Sequence, residues 1–221
     1  MKRTQDWGDE LALAALTRST LKDSTEALIR RALLSGAMRP GEIYSANSLA
    51  ARLGVSNSPA REAMMSLVNK GLLELVRNRG FRVVELTDRD RQEVYDLRRL
   101  IEVEAVRRVA EQGVDADQAA LLRDLGERTV AASGGHDVLE YLEADQRFHT
   151  ALVGMLGNTR WTAIVENLRD QSRINGSYHL QERGRLESSA LEHRDIAEAV
   201  VAGDPARAAE LMVRHLDYAR P

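Results

Sequence analysis

Apolar residues recur at steps of three and four along most of the chain, and the breaks in that rhythm fall at glycine, proline or short polar runs. In TLKDSTEALIRRALLSG, residues 20–36, Leu21, Leu28, Ala32 and Leu33 keep helical spacing, and Gly36 is a plausible stop. A Pro-Gly turn, MRPGEIY, leads to a short helix, ANSLAARLG, that ends at Gly54. VSN then leads to Ser58-Pro59, a cap followed by a first-turn proline, and to a third helix, PAREAMMSLVNK. That helix turns Ala63, Met64 and Leu67 inward and leaves Asn57, Ser58 and Arg61 off the stripe. Next the period changes to two. Leu73 and Leu75, then Phe81 and Val83, alternate on either side of Arg77-Asn78-Arg79-Gly80, which predicts a hairpin with a basic tip.

From Thr87 onward only helical spacing remains. DRDRQEVYDLRRLIEVEAVRRVAEQ places Val94, Leu97, Ile101 and Ala105 on one face, and five further helical segments follow, the last opening on Asp204-Pro205. The predicted fold is mainly α: a winged helix-turn-helix of three helices and a β-hairpin wing, joined to an all-α antiparallel bundle. Residues 1–17 read as a tail, 18–86 as the DNA-reading unit and 87–221 as the bundle, with the break at ELTDRD.

Three of the bundle's stripes carry polar residues. Leu142, Asp145, His149, Leu152 and Leu156 share one helical face; Ser189, His193, Ile196 and Val200 share another, and Ala208, Leu211, His215 and Tyr218 a third. A buried carboxylate must be paired, hydrogen-bonded or metal-bound. One aspartate and three imidazoles facing one interior favour a divalent ion, with Asp145 and His149 able to serve it from a single helix at i, i+4. The alternative is a set of hydrogen-bonded core histidines. His136 and His179 lie off these stripes and read as solvated.

Composition narrows the choices. With no cysteine there is no thiolate ligand, so a metal must be held by nitrogen and oxygen; zinc comes first, with nickel, cobalt and manganese also suited. No segment has the length and apolarity of a membrane span, which makes a cytoplasmic location the default. The net charge of −3 hides a division: residues 1–86 hold 13 Lys/Arg against 9 Asp/Glu, and the remainder 18 against 25. Only the first part is suited to a polyanion.

RPGEIYSANSLAARLGVSNSPAREAMMSLVNKGLLELVRNRGFRVVEL resembles the winged helix-turn-helix of the GntR family of bacterial transcription regulators, with the LGVS turn, PAREAM, the KGLL helix end and the basic wing in family order. The resemblance implies a homodimer on a two-fold double-stranded DNA operator, contacted through Asn47, Ser56, Asn57, Ser58 and Arg61 and through the wing residues Arg77, Arg79, Gly80 and Arg82. Where the family usually has arginines, this chain has Asn47 and Asn57. Asparagine pairs best with adenine, so the operator departs from the common consensus unless both residues only cap helices.

Residues 90–219 resemble the FCD ligand-binding domain of the FadR-type subgroup: D-x-x-x-H, then E-H, then a histidine after GDP-x-x-A. The resemblance implies that Asp145, His149, His193 and His215 hold a divalent metal, that a small organic acid is the effector, and that Arg98 lies near its pocket. A salt bridge from Arg98 to Glu102 at i+4 is the competing role. Two other functions stay in view: a regulator for which the ion itself is the signal, and a metal-dependent hydrolase, disfavoured because no general base accompanies the cluster and the DNA-reading unit would have no purpose.

Overall fold

The structure, a computed structural model, describes the backbone of residues 11–135, 137–174 and 185–221, and side chains from Leu21 onward. Two units meet between Glu85 and Leu86. In the first, α1 (Leu11–Leu34) starts inside the stretch expected to be a tail. LALAAL is rich in strong helix formers, which carries the helix back past Thr17. The inward stripe of α1 also differs from the apolar spacing: Thr25, Ile29, Leu33 and Leu34 are buried, while Leu21 and Leu28 are 48% and 52% exposed. Thr25 fits that face because its hydroxyl donates to the Leu21 carbonyl at 2.7 Å.

Strand β1 (Ile43–Tyr44) precedes α2 (Ala46–Leu53), which Ser45 caps by accepting from the Ser48 amide. Gly54, at φ +67°, ends α2 in the left-handed conformation. Helix α3 (Asn57–Asn69) starts after Ser56, so Ser58 is not its cap. Ser58 is instead the second helical residue and donates to Glu62 Oε1 at 2.8 Å. Pro59, the third helical residue, is tolerated in the first turn because the first amides of a helix have no intrahelical acceptor to lose. Ala60, Ala63, Met64 and Leu67 form the buried face of α3, which packs on α1.

The wing is a three-stranded antiparallel sheet in the order β1, β3 (Gly80–Val83), β2 (Leu73–Val76). Its first strand was not legible in the Pro-Gly segment. Phe81 and Val83, on the central strand, are buried, as is Leu73; Leu75, on the edge strand, is 50% exposed.

The second unit has six described helices: α4 (Asp88–Gln112), α5 (Ala116–Ser133), α6 (Val138–Gly154), α7 (Thr159–Ile174), α8 (Leu186–Val201) and α9 (Pro205–Leu216). They close a ring, α4 against α9, then α8, α5, α6, α7 and back to α4. Thr87 and Asp90 form a capping box at the start of α4, and Asp204 with Pro205 begins α9 as the sequence suggests. Val106, Val109, Leu122, Phe148, Val165, Ile196 and Leu211 centre the core.

The register of α4 is not the one apolarity predicts. Val94, Arg98, Glu102, Ala105 and Val109 face inward, while Leu97 is 46% exposed. A charged pair at i, i+4 shares the inward face with Ile101, which packs against the core, and takes the place expected of Leu97; it can do so only because the bundle interior supplies further charges.

Candidate functional site

The expected DNA-reading residues lie on the first unit. Asn47, on the first turn of α2, and Ser56, Asn57, Ser58 and Arg61, around the start of α3, are exposed. Ser45 and Ser56 occupy the two N-cap positions, so neither asparagine is a cap. Arg61 falls in the second turn, its guanidinium carbon 5.9 Å from the Phe81 ring centroid, against the wing. Arg77 and Arg79 project from the tip. Arg82 differs from them: it is held across the sheet by Glu74, with Nη1 2.5 Å from Oε1. Gly80 has a structural reason to be glycine, because at φ +126° a Cβ would lie 2.5 Å from the Tyr44 carbonyl oxygen of β1.

In the second unit, α6, α8 and α9 bring Asp145, His149, His193 and His215 together, all buried, with one potential ligand atom from each within 4.8 Å of the others. His149 Nε2 and His215 Nε2 are 3.1 Å apart, and His193 Nε2 is 3.1 Å from Asp145 Oδ1. The other ring nitrogens have partners of their own. His149 Nδ1 lies 2.9 Å from Glu102 Oε2, His193 Nδ1 3.2 Å from the Ala190 carbonyl and His215 Nδ1 3.3 Å from Glu192 Oε2. Each Nδ1 faces an acceptor; with the proton held there, all three Nε2 atoms would present lone pairs beside the Asp145 carboxylate. Such a donor set would suit a cation, and backing of each imidazole by a carboxylate or carbonyl is how metal-binding histidines are oriented.

Charge around the cluster is balanced by residues that the apolar stripes did not single out. Arg169 of α7 spans two carboxylates, its Nη1 2.6 Å from Glu102 Oε2 and its Nη2 on Asp145 Oδ2. Arg173 also contacts Asp145 Oδ2, which leaves Oδ1 as the oxygen facing the imidazoles. Burial alone would raise the pKa of Glu102, but the Arg169 and Arg98 guanidiniums outweigh it and hold the carboxyl well below its usual range. Burial, with Arg169 nearby, lowers the pKa of His149 well below its ordinary value and that of His193 to about 3. Burial, with the neighbouring His193, lowers that of His215 as well. Arg98 fulfils its competing role, Nε to Glu102 Oε1 at 2.8 Å, and also lines the adjoining cavity.

That cavity, of about 280 Å³, is bordered by Asp145, His215, Arg98, Arg169 and Arg173 together with the hydroxyls of Tyr141, Ser172 and Ser189. Guanidinium and hydroxyl donors beside a cluster of ligand atoms suit a small hydroxylated anion. His136 and His179, expected to be solvated, lie outside the described residues.

The imidazoles make a pH prediction. An unfolded histidine titrates near 6.5 and folded His193 near 3, so the unfolded chain binds more protons between those values. The stability gained by keeping His193 neutral is complete above about pH 6.5 and is lost as pH falls toward 3. In chelator, the melting temperature should fall steadily below pH 6.5, as followed by circular dichroism. A flat profile there would mean that these rings are not buried neutral.

A winged helix-turn-helix followed by an all-helical bundle is the build of a two-part DNA-binding transcription regulator. Residues 21–83 match the family described as "Bacterial regulatory proteins, gntR family", and residues 93–218 match the "FCD domain". The chain belongs to the GntR family of DNA-binding transcriptional regulators and carries the FCD domain. Among its relatives, the "Uncharacterized HTH-type transcriptional regulator YdhC" of Bacillus subtilis (strain 168) is 29% identical over 86% of this chain and 85% of its own length. The "Gluconate operon transcriptional repressor" of Bacillus licheniformis is 30% identical over 70% of this chain and 63% of its own. The solved structure of "E. coli McbR/YncC" has the same fold, with a TM-score of 0.80 at 23% identity, covering 90% of this chain and 94% of that one. Relatives and fold alike are those of regulators, which sets the hydrolase alternative aside.

Proposed function

We propose that this regulator binds its operator as a cytoplasmic homodimer, and that a small carboxylate effector, held beside a divalent metal in the bundle, controls that binding. The observation that carries this reading is the convergence of one imidazole nitrogen from each of His149, His193 and His215 with a carboxylate oxygen of Asp145 beside an arginine-lined cavity. A divalent ion, zinc by ligand type, would be held by these four residues and would supply a Lewis acid for an acid group. The chain's own residues do the rest. Glu102, Glu192 and the Ala190 carbonyl fix the imidazoles, Arg169 and Arg173 hold Asp145, and Arg98 with Ser172 faces the effector.

The gluconate repressor is named for an operon acting on a hydroxy acid, which agrees with the guanidinium and hydroxyl lining and favours repression as the mode of control. No helix among the described residues is long and apolar enough to cross a membrane. Leu97, Leu100 and Ile164 expose apolar surface on α4 and α7, helices that pack on each other, which provides a face for a second copy.

In vitro selection of duplexes by the full-length protein tests the DNA half. It should return inverted repeats, and recovery of single half-sites alone would refute the dimeric reader. On the selected duplex, Arg61→Ala should cost about 1 to 3 kcal/mol and relax preference at one base pair. Arg77→Gln or Arg79→Gln should instead flatten the salt dependence by about one unit of slope whatever the sequence, with a smaller change for Arg82→Gln because Glu74 already holds that side chain. Fluorescence anisotropy at several salt concentrations separates the two patterns, and unaltered slopes for Arg77 and Arg79 would remove the wing from the interface.

A further inference from the structure

The arginines around the cavity fall into two groups. Arg98, Arg169 and Arg173 are buried and matched by Glu102 and Asp145. Arg91 and Arg220 also line the cavity but are not matched in this way. Arg91 pairs through Nη2 with Asp88, whose side chain is 91% exposed, and an ion pair that exposed contributes little. Its Nη1 donates at 2.7 Å to the carbonyl of Leu86, the residue at which the second unit begins. One side chain therefore borders the cavity while tethering the backbone where the bundle joins the DNA-reading unit. The tether is additional to the capping box, which ties Thr87 to Asp90.

We propose that Arg91 is a second anion-binding residue of this cavity, selecting effectors that carry a further acidic group, and that its capture by that group releases the Leu86 carbonyl. A guanidinium offers its donors in a planar fork, and a carboxylate takes two of them together in a short, charge-assisted pair. The nitrogens it would take include those now spent on a neutral carbonyl and on a solvated aspartate, so the exchange favours the ligand. A diacid with one carboxylate toward the ligand cluster and the other on Arg91 would remove this tether from Leu86, and occupancy of the cavity thereby reaches the residue at which the second unit begins. A monoacid occupies the metal end and leaves the tether in place.

This rests on the reading that an acid binds beside the metal, and one experiment separates the two. The zinc-loaded full-length protein is titrated calorimetrically with succinate and with butyrate, acids of equal chain length, using the natural sequence, Arg91→Ala, Arg91→Lys and, as a control outside the cavity, Arg89→Ala. The natural protein and Arg89→Ala should bind succinate at least about tenfold more tightly than butyrate. Arg91→Ala should lose that preference with butyrate affinity unchanged, and Arg91→Lys should recover part of it, since lysine keeps the charge without the fork. Hydrogen exchange at amides 86–91 should rise with succinate in the natural protein and not with butyrate. If both acids bind equally well to the natural protein and to Arg91→Ala, the Arg91 proposal fails and the metal-side acid site stands. If neither acid binds the natural protein, the acid site fails and the proposal falls with it.

Discussion

Arg169→Ala is expected to destabilise the bundle by about 3 to 5 kcal/mol, the usual cost of removing one partner from a buried ion pair. Arg169 is 2% exposed and joins Glu102 to Asp145, which are 1% and 5% exposed. Without it, Glu102 keeps Arg98 and Asp145 keeps Arg173, but each buried carboxylate loses half of its charge compensation. The damage should reach the ligand cluster, because Glu102 orients His149 and Asp145 supplies the oxygen that faces the imidazoles. Arg169→Lys should restore only part of the loss, since a point charge cannot span both carboxylates as the guanidinium fork does. Urea unfolding of the full chain, followed by circular dichroism in chelator, measures this. A loss below about 1 kcal/mol would place Arg169 among ion pairs of surface strength and contradict its role as the bridge.

The second large effect concerns the metal. The purified protein should hold about one divalent ion per chain, and a chelator should lower its melting temperature, because an ion bound to the folded state alone stabilises it by about 4 kcal/mol at a thousandfold excess over Kd. His193→Ala should abolish stoichiometric metal, since His193 is wholly buried and the Ala190 carbonyl fixes its ring with Nε2 toward Asp145. Glu192→Gln, which weakens the support of His215 and the pair with Arg214 but leaves all four ligand residues in place, should weaken affinity by about 10- to 100-fold instead. Elemental analysis and melting curves with and without chelator decide the matter. No stoichiometric metal, with identical melting in chelator, would make the four residues a polar core and nothing more.

Much of this was legible in the chain because several signals coincided. The helix-turn-helix is carried by turns, caps and apolar spacing over a short local stretch, and the six bundle helices are each bounded by glycine or polar breaks. The convergence of Asp145, His149, His193 and His215 could be read because they interrupt stripes that are otherwise apolar. What escaped was whatever apolarity misranks. On α4, apolar spacing puts Leu97 on the inward face, yet the expected pair Arg98–Glu102 is buried there and Leu97 is not. Arg169 and Arg173 stand four and eight residues after Val165, on its face of α7, and that spacing was the available signal. It was passed over because the energy of a buried arginine depends on carboxylates from other helices, which no single stripe displays. Gly80 was read as a DNA contact although its nearest constraint is the Tyr44 carbonyl, on a strand only two residues long.

The central claim is that metal and acid together, and neither alone, change operator binding. Its most direct test is titration of the selected operator duplex, by anisotropy at one fixed salt concentration, with metal-free protein, zinc-loaded protein and zinc-loaded protein saturated with D-gluconate or succinate. Metal-free and zinc-loaded protein should bind with similar affinity, and at least one of the acids should then shift the zinc-loaded affinity by about tenfold or more, the size of an ordinary allosteric coupling. His193→Ala should bind the duplex and ignore the acid. A full shift on adding zinc alone would make the ion the signal, and equal affinity in every state would contradict effector control through this site.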